Sequence, residues 1–264
     1  MNNKQKDTPV ALVIIPVRDR DAHLKKLIPE LKLYMSHSNI ECYYFVIEQS
    51  DNLPFNKAYL INVAFDIATK TDINFNYCIF HDVDHLPVTP DYSFPESGAA
   101  QIVLHSGDTT WDDENHFGGV IAVTKQTYRR ANGSSNGYWG WGSEDYDLQN
   151  RLEKSVINIE RRHGIFKTLD HESAGWNGVD GNKLPFRNLR RLVAVGSGFI
   201  VTTNDGMNNL SYKILKSSKN NSIYRYKVEL ASSNDTFKYS RLLIFILIYT
   251  KVRIRFRYQS YTTH

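Results

Sequence analysis

Asp82 and Asp84, in His81-Asp82-Val83-Asp84, are two carboxylates separated by one residue at the end of an apolar run, Tyr77-Cys78-Ile79-Phe80. In an extended segment successive side chains point to opposite sides, so residues two apart share a side and both carboxylates can face one ligand. Such hard oxygen donors suit Mg²⁺ or Mn²⁺, ions that commonly complete their shell with phosphate oxygens. The chemistry on offer is neutralisation of charge on a departing diphosphate. An isolated Asp-x-Asp is more often a polar turn that merely ends a strand; here its position and company favour the functional reading.

The second constellation is Tyr138-Trp139-Gly140-Trp141-Gly142-Ser143-Glu144-Asp145. Glycines permit backbone close to a ligand or at positive φ, and indole faces stack on the apolar face of a sugar. Ser143 is the expected N-cap of a helix from Glu144 to Lys154 whose buried stripe is Leu148 and Leu152. Glu144 and Asp145 then occupy its first turn, where the helix dipole favours their ionised forms and keeps a general base deprotonated. Acids in a first turn are also routine capping, but the two preceding Trp favour catalysis. A carboxylate that holds a metal on a diphosphate and one that deprotonates a hydroxyl are together what sugar transfer from a nucleotide donor requires.

The elements that must position these groups read as α/β. Val10 to Val17 and Cys42 to Ile47 are apolar runs expected to be buried strands, and Tyr77 to Phe80 a third. Asp21 to Tyr34 and Asn56 to Ala68 carry apolar residues at helical spacing. Strands alternating with helices predict a mostly parallel, Rossmann-like central sheet with helices on both faces. Ligands gather at the carboxyl ends of such strands, where Asp82 and Asp84 sit.

Composition narrows the classes. The chain has 264 residues, 41% hydrophobic, 23% charged and 12% aromatic, enough for a full core. Its formal charge of +4 is uneven: from residue 231 onward there are six Lys or Arg against Asp235, so the remainder is about −1. A basic tail on a near-neutral body argues against a nucleic-acid binder. The first strand ends in Pro16-Val17-Arg18 with no Gly-x-Gly-x-x-Gly, which argues against a dinucleotide-dependent dehydrogenase. Two cysteines, Cys42 and Cys78, make no disulfide framework. Residues 1–8 lack a signal-peptide core and Leu242 to Tyr249 is too short to span a bilayer, so the expected compartment is cytoplasmic. The expected organisation is a catalytic domain over 1–230 and a basic, apolar tail over 231–264. In that tail Lys251 to Arg257 alternates basic with apolar residues, which fits either peripheral docking on an anionic membrane or a guarded edge strand.

Taken with Ile15-Pro16-Val17-Arg18-Asp19-Arg20, Phe55-Asn56-Lys57-Ala58, Phe117-Gly118-Gly119-Val120 and Asp205-Gly206-Met207-Asn208-Asn209-Leu210, the two motifs resemble the β-1,4-galactosyltransferase family (glycosyltransferase family 7, GT-A fold) over roughly residues 10–230. The resemblance is nearest to the xylosylprotein galactosyltransferase branch. It implies a UDP-sugar donor (galactose or N-acetylgalactosamine), a glycan acceptor that could be lipid-linked, and Mn²⁺ as cofactor. It implies donor-binding roles for Arg18, Arg20, Phe55, Lys57, Asp82, Gly119 and Trp141. Asp84 and His171 would be metal ligands, Asp145 the base of an inverting transfer, and Glu144 an acceptor-orienting partner. Trp141, Tyr146 and Asp147 match the acceptor side, and Glu172 to Asn188 matches a mobile loop. Departures from the family pattern are Tyr146 in place of a second Asp after the base, Ser173 in place of a second metal-binding His, and His116 at a donor-selecting position. A catalytically inactive sugar- or nucleotide-binding protein on the same fold is the competing reading.

Overall fold

A computed structural model describes residues 8–105, 117–155, 158–170, 184–198 and 202–231. The first strand, β1 (Ala11–Val17), is buried along its whole length. Helix α1 (Asp21–His37), strand β2 (Cys42–Gln49), helix α2 (Lys57–Thr69) and strand β3 (Tyr77–His81) follow in the alternation that the apolar spacing predicts. Beyond β3 come β4 (His85–Pro87), β5 (Ala99–His105), β6 (Val120–Thr124), α3 (Lys125–Arg130), α4 (Glu144–Glu153), β7 (Glu160–Thr168), α5 (Leu184–Gly196), and the hairpin β8 (Tyr212–Asn220) and β9 (Ile223–Leu230).

All nine strands form one sheet in the order β4-β7-β5-β6-β3-β1-β2-β9-β8. Its centre is parallel: β1 pairs in parallel with β2 and with β3, and β2 with β9. The flanks bring antiparallel pairs, β3 with β6 and β8 with β9 among them, so the expected parallel sheet is the middle of a mixed one. Pro16 lies beyond Ile14, the last β1 residue in register with β3, while β2 continues alongside it. A residue without an N–H is tolerated where one neighbouring ladder has ended.

Alternation along β1 divides the core. Leu12 and Ile14 face one cluster with α2 and with Leu148 and Leu152 of α4. Ala11, Val13, Ile15 and Val17 face another with Leu24, Leu27, Leu31 and Met35 of α1. The sheet is thus covered on both faces. Helix α2 buries ten of its residues, Leu60, Asn62, Val63, Ala64 and Ala68 completely, because the sheet lies on one side of it and α4 contacts it as well. Emptying such a site, as in Leu60→Ala, costs about 2–5 kcal/mol.

No helix among the described residues is long and apolar enough to cross a membrane. Apart from Ala231, the expected C-terminal tail lies outside the described residues.

Candidate active site

The carboxyl ends of β1, β2 and β3 lie side by side, and the segments leaving them carry Arg18, Phe55 with Lys57, and Asp82 with Asp84. Lys57 is the first residue of α2. The Asn56 side chain caps that helix by accepting from the Tyr59 amide at 2.9 Å and ties it to the Trp-Gly loop by donating to the Asn136 carbonyl at 3.0 Å. So fixed, the Lys57 ammonium joins both motifs: Nζ is 2.9 Å from Asp145 Oδ2, 3.4 Å from Glu144 Oε1 and 3.6 Å from Asp82 Oδ1.

The electrostatics are lopsided. Burial opposes the Lys57 charge, but the carboxylates of Asp145, Asp82 and Glu144 outweigh it and hold the ammonium well above the ordinary lysine range. Burial, and then the Asp145 charge, pushes Glu144 up to about 7. Asp82 is likewise raised, chiefly by burial. Three carboxylates share one ammonium, and a fourth, Asp84, stands beside Asp82. Such an excess of negative charge fits a site that receives a cation.

Ligand atoms of Asp82, Asp84 and His85 all lie within 4.8 Å of one another. The convergence of the two Asp does not come from strand alternation, as the tripeptide alone predicts: residues 83 and 84 form a turn. The turn is held from outside, since the Leu169 amide donates to the Asp84 carbonyl at 2.7 Å and the Asp82 amide to the Gly119 carbonyl at 3.0 Å. Gly119 therefore abuts the cluster through its backbone. His81 is not part of the donor set. Its ring is buried, Nδ1 donates to the Asp82 carbonyl at 2.8 Å and Nε2 accepts from the Tyr92 hydroxyl at 2.7 Å. Burial lowers its pKa to about 4 and keeps it neutral. Among the buried side-chain polar atoms without a hydrogen-bond partner in the described residues are His85 Nδ1, Glu144 Oε2, and Nε and Nη2 of Arg18. Two carboxylates, an imidazole and these unpartnered atoms fit a divalent metal with a polar ligand.

The Trp-Gly loop is shaped by left-handed backbone at Gly140 (φ 73°), Gly142 (φ 103°) and Ser143 (φ 73°). A Cβ on Gly142 would meet nothing within 4 Å, so its backbone angle, not space, demands glycine. The Gly140 amide donates to the Phe55 carbonyl at 2.7 Å. Ser143 stands at the N-cap position of α4 but makes no side-chain cap, because its backbone is left-handed instead of extended. The two indoles part company. Trp139 is core, 5% exposed and edge-on to Tyr59, whereas Trp141 is 46% exposed. Tyr146 is also at the surface, 42% exposed.

Asp147, expected on the acceptor side, is placed elsewhere. It is fully buried, with Arg151 Nε donating to it at 2.6 Å and the Tyr138 hydroxyl at 3.3 Å. Next in sequence to the exposed Tyr146, it lies on the inward side of the helix, because positions 147, 148, 151 and 152 face the core. Arg151 continues to Asp205, which also accepts from Arg191 Nη2 at 2.7 Å and from the Asn136 amide at 2.8 Å. The glycine after Asp205 is required by close approach: a Cβ on Gly206 would lie 2.0 Å from the Asn132 carbonyl.

On the donor side the Arg18 guanidinium lies 5.6 Å from the Phe55 ring centre and donates to the Leu53 carbonyl at 2.7 Å. Arg20 sits at the N-cap of α1, and no hydrogen bond or ion pair among the described residues joins it to the carboxylates. His171 and most of the expected mobile loop lie outside the described residues; its last part, from Leu184, is the start of α5. Asn188 of that helix is buried, and its Nδ2 donates to the Trp139 carbonyl at 3.0 Å and the Trp141 carbonyl at 3.1 Å. Sequence reasoning missed Asn188 and His85. The only signal for His85 was its place directly after Asp84.

Two family models match this chain. The N-terminal region of glycosyl transferase group 7 matches residues 3–94, and a model described as the N-terminal domain of galactosyltransferase matches residues 102–172. The chain belongs to glycosyltransferase family 7. This family 7 chain is 31% identical over 209 residues to β-1,4-galactosyltransferase 7 of Homo sapiens, a stretch covering 76% of the chain and 61% of that relative. It is 35% identical over 159 residues to xylosylprotein 4-β-galactosyltransferase of Caenorhabditis elegans, covering 58% of the chain and 53% of that relative. The matches thus span less than two thirds of these relatives' own length. A mutant Drosophila β-1,4-galactosyltransferase 7 in complex with manganese, UDP-Gal and xylobiose superposes with a TM-score of 0.72 at 25% identity, covering 86% of this chain and 96% of that one. Mannosyl-3-phosphoglycerate synthase from Rubrobacter xylanophilus, with a TM-score of 0.50 and 7% identity over 85% of this chain and 87% of that one, shares the fold alone. The architecture is GT-A.

Proposed function

We propose that this chain is an inverting, metal-dependent glycosyltransferase. It moves galactose, or N-acetylgalactosamine, from a UDP-sugar to a hydroxyl of an acceptor glycan, with β-1,4 linkage. The observation that carries the reading is the meeting of Asp82, Glu144 and Asp145 on the single ammonium of Lys57, which puts a diphosphate-side carboxylate and a candidate base in one pocket. The Drosophila relative solved with manganese, UDP-Gal and xylobiose supports the same substrate classes.

In this reading Arg18 and Phe55 receive the nucleotide, with Arg20 and the Gly119 backbone at its edges. Lys57 presents positive charge to the diphosphate, and Asp82 contacts the donor. Asp84 and His171 would hold a manganese ion, which would supply Lewis-acid neutralisation of the departing diphosphate. Trp141 lies between donor and acceptor with Tyr146 at the rim, and Glu144 orients the acceptor. Asp145 takes the proton of the acceptor hydroxyl as its oxygen bonds to the sugar C1. The bond from C1 to the β-phosphate oxygen breaks with its electron pair leaving on UDP, and attack from the opposite face inverts the anomeric centre. Asp147 is assigned no contact with acceptor; its pair with Arg151 within α4 orients the guanidinium toward Asp205, which ties the helix to the segment after α5.

The test is turnover of a panel of UDP-sugars with xylosides and other β-glycosides, with and without Mn²⁺, on wild type and Asp145→Asn. Manganese-dependent transfer from UDP-galactose or UDP-N-acetylgalactosamine, reduced about 10²–10⁴-fold in the variant, is expected. UDP binding without turnover of any donor would favour the inactive binding protein instead.

A further inference from the structure

We infer that His85 is a metal ligand of this chain, joining Asp84 and Asp82 in a cation site that contains a nitrogen donor close to the Asp-x-Asp turn. The inference rests on the metal-dependent reading above and assigns that site a ligand of its own.

Three observations carry it. The first is placement. His85 opens β4, and its backbone is in register with Thr168 of β7, while the neighbouring Asp84 carbonyl is held by Leu169. Strand β7 thus fixes both residues without help from a ligand. The ring also packs against Phe166, with centroids 6.0 Å apart, which limits its orientation.

The second is distance. His85 Nε2 lies 3.8 Å from Asp84 Oδ1, and one donor atom from each of Asp82, Asp84 and His85 falls within 4.8 Å of the others. Donors around one ion at about 2.1 Å are separated by roughly 3–4 Å, so small side-chain rotations bring this set onto one cation.

The third is an unmet bonding need. His85 is largely buried, with 13% of its side-chain surface exposed, and Nδ1 has no hydrogen-bond partner among the described residues. His81, four residues earlier, has partners for both of its nitrogens. Among the described residues neither ring nitrogen of His85 makes a hydrogen bond: Nδ1 is unpartnered and Nε2 lies 3.8 Å from Asp84 Oδ1, which leaves a nitrogen available to a cation.

The consequence is selectivity. Two carboxylates alone suit Mg²⁺ and Mn²⁺, whereas an imidazole shifts preference toward transition metals. The experiment is titration of the full chain, without nucleotide, with MnCl₂ and separately MgCl₂. It follows heat by calorimetry and free Mn²⁺ by its paramagnetic resonance, for wild type, His85→Leu, His85→Gln and Asp84→Asn, with circular dichroism to establish folding. Wild type is expected to bind Mn²⁺ more tightly than Mg²⁺. Both His85 variants are expected to lose at least about tenfold in Mn²⁺ affinity while Mg²⁺ binding changes little; the Gln variant serves if Leu does not fold. Unchanged Mn²⁺ affinity in folded His85 variants, with binding lost in Asp84→Asn, overturns the His85 assignment and leaves the metal reading standing. Unchanged binding in Asp84→Asn as well overturns the metal reading itself. Equal loss of both ions in the His85 variants also counts against a ligand role, since it indicates collapse of the turn.

Discussion

Lys57 Nζ is 2.9 Å from Asp145 Oδ2, and this contact joins residues 88 positions apart that begin two different helices. The same ammonium is the only cation within 4 Å of Glu144 and Asp82 among the described residues. The proposed base is therefore held by the residue proposed to meet the diphosphate.

Lys57→Met keeps the aliphatic stem and removes the charge. Asp82, Glu144 and Asp145 then repel one another in a poorly solvated pocket. The expected loss of stability is about 3 kcal/mol at pH 8. It should shrink at pH 5, as Glu144, whose pKa is raised to about 7, takes up a proton. Urea unfolding at the two pH values measures this, and an equal loss at both would contradict the electrostatic account.

Glu144 has its own pH signature. Burial and then the Asp145 charge raise it from 4.5 to about 7, so between those values the folded chain binds more protons than the unfolded one. Stability contributed by this group is complete below about pH 4.5 and falls as pH rises to 7. Glu144→Gln should match wild type near pH 4.5 and exceed it by about 3 kcal/mol at pH 8. Denaturation midpoints across that range test the sign.

The two indoles should separate stability from activity. Trp139→Ala empties a core site and is expected to cost about 3–5 kcal/mol. Trp141→Ala, at a site that is 46% exposed, should change stability by about 0.5 kcal/mol or less while sharply reducing transfer. Thermal melts and initial rates on the same two proteins decide it. Comparable destabilisation by both would place Trp141 in the core as well.

Asn188 holds the carbonyls of Trp139 and Trp141 from the start of a helix whose first residues sequence reading assigned to the end of a mobile loop. Asn188→Ala leaves both carbonyls without that donor, at a cost of about 1–3 kcal/mol. Because Trp141 is proposed to lie between donor and acceptor, KM for the acceptor should rise more than KM for the donor. Steady-state kinetics with each substrate varied in turn would show it.

The first half of the fold was legible because its elements are buried in a simple pattern. Strands at Ala11–Val17, Cys42–Gln49 and Tyr77–His81 and helices at Asp21–His37 and Lys57–Thr69 carry apolar residues at their own periods, and expected and observed limits differ by no more than three residues. The flanks were not legible. Strand β7 reads Glu-Arg-Arg-His-Gly-Ile-Phe-Lys-Thr and buries only Gly164 and Phe166, and β8 is exposed along almost its whole length, so neither carries a strong alternation. Helix α5 follows a glycine-rich stretch that reads as loop.

The sequence by itself determined the residue types of the chemistry: an acidic pair at a strand end, aromatic residues and glycines before two acids, and the α/β order that sets them at the sheet's carboxyl edge. Those features are local, written in spacing and periodicity. Only the tertiary structure decided that Lys57 meets Asp145, that Asp147 turns inward to Arg151, that Trp139 is core while Trp141 is exposed, and that a turn brings His85 to the two aspartates. Charge proximity and burial are properties of neighbours far apart in the chain. Until the sheet and helices close around these groups, nothing in their spacing sets which charges share a pocket or what their desolvation costs.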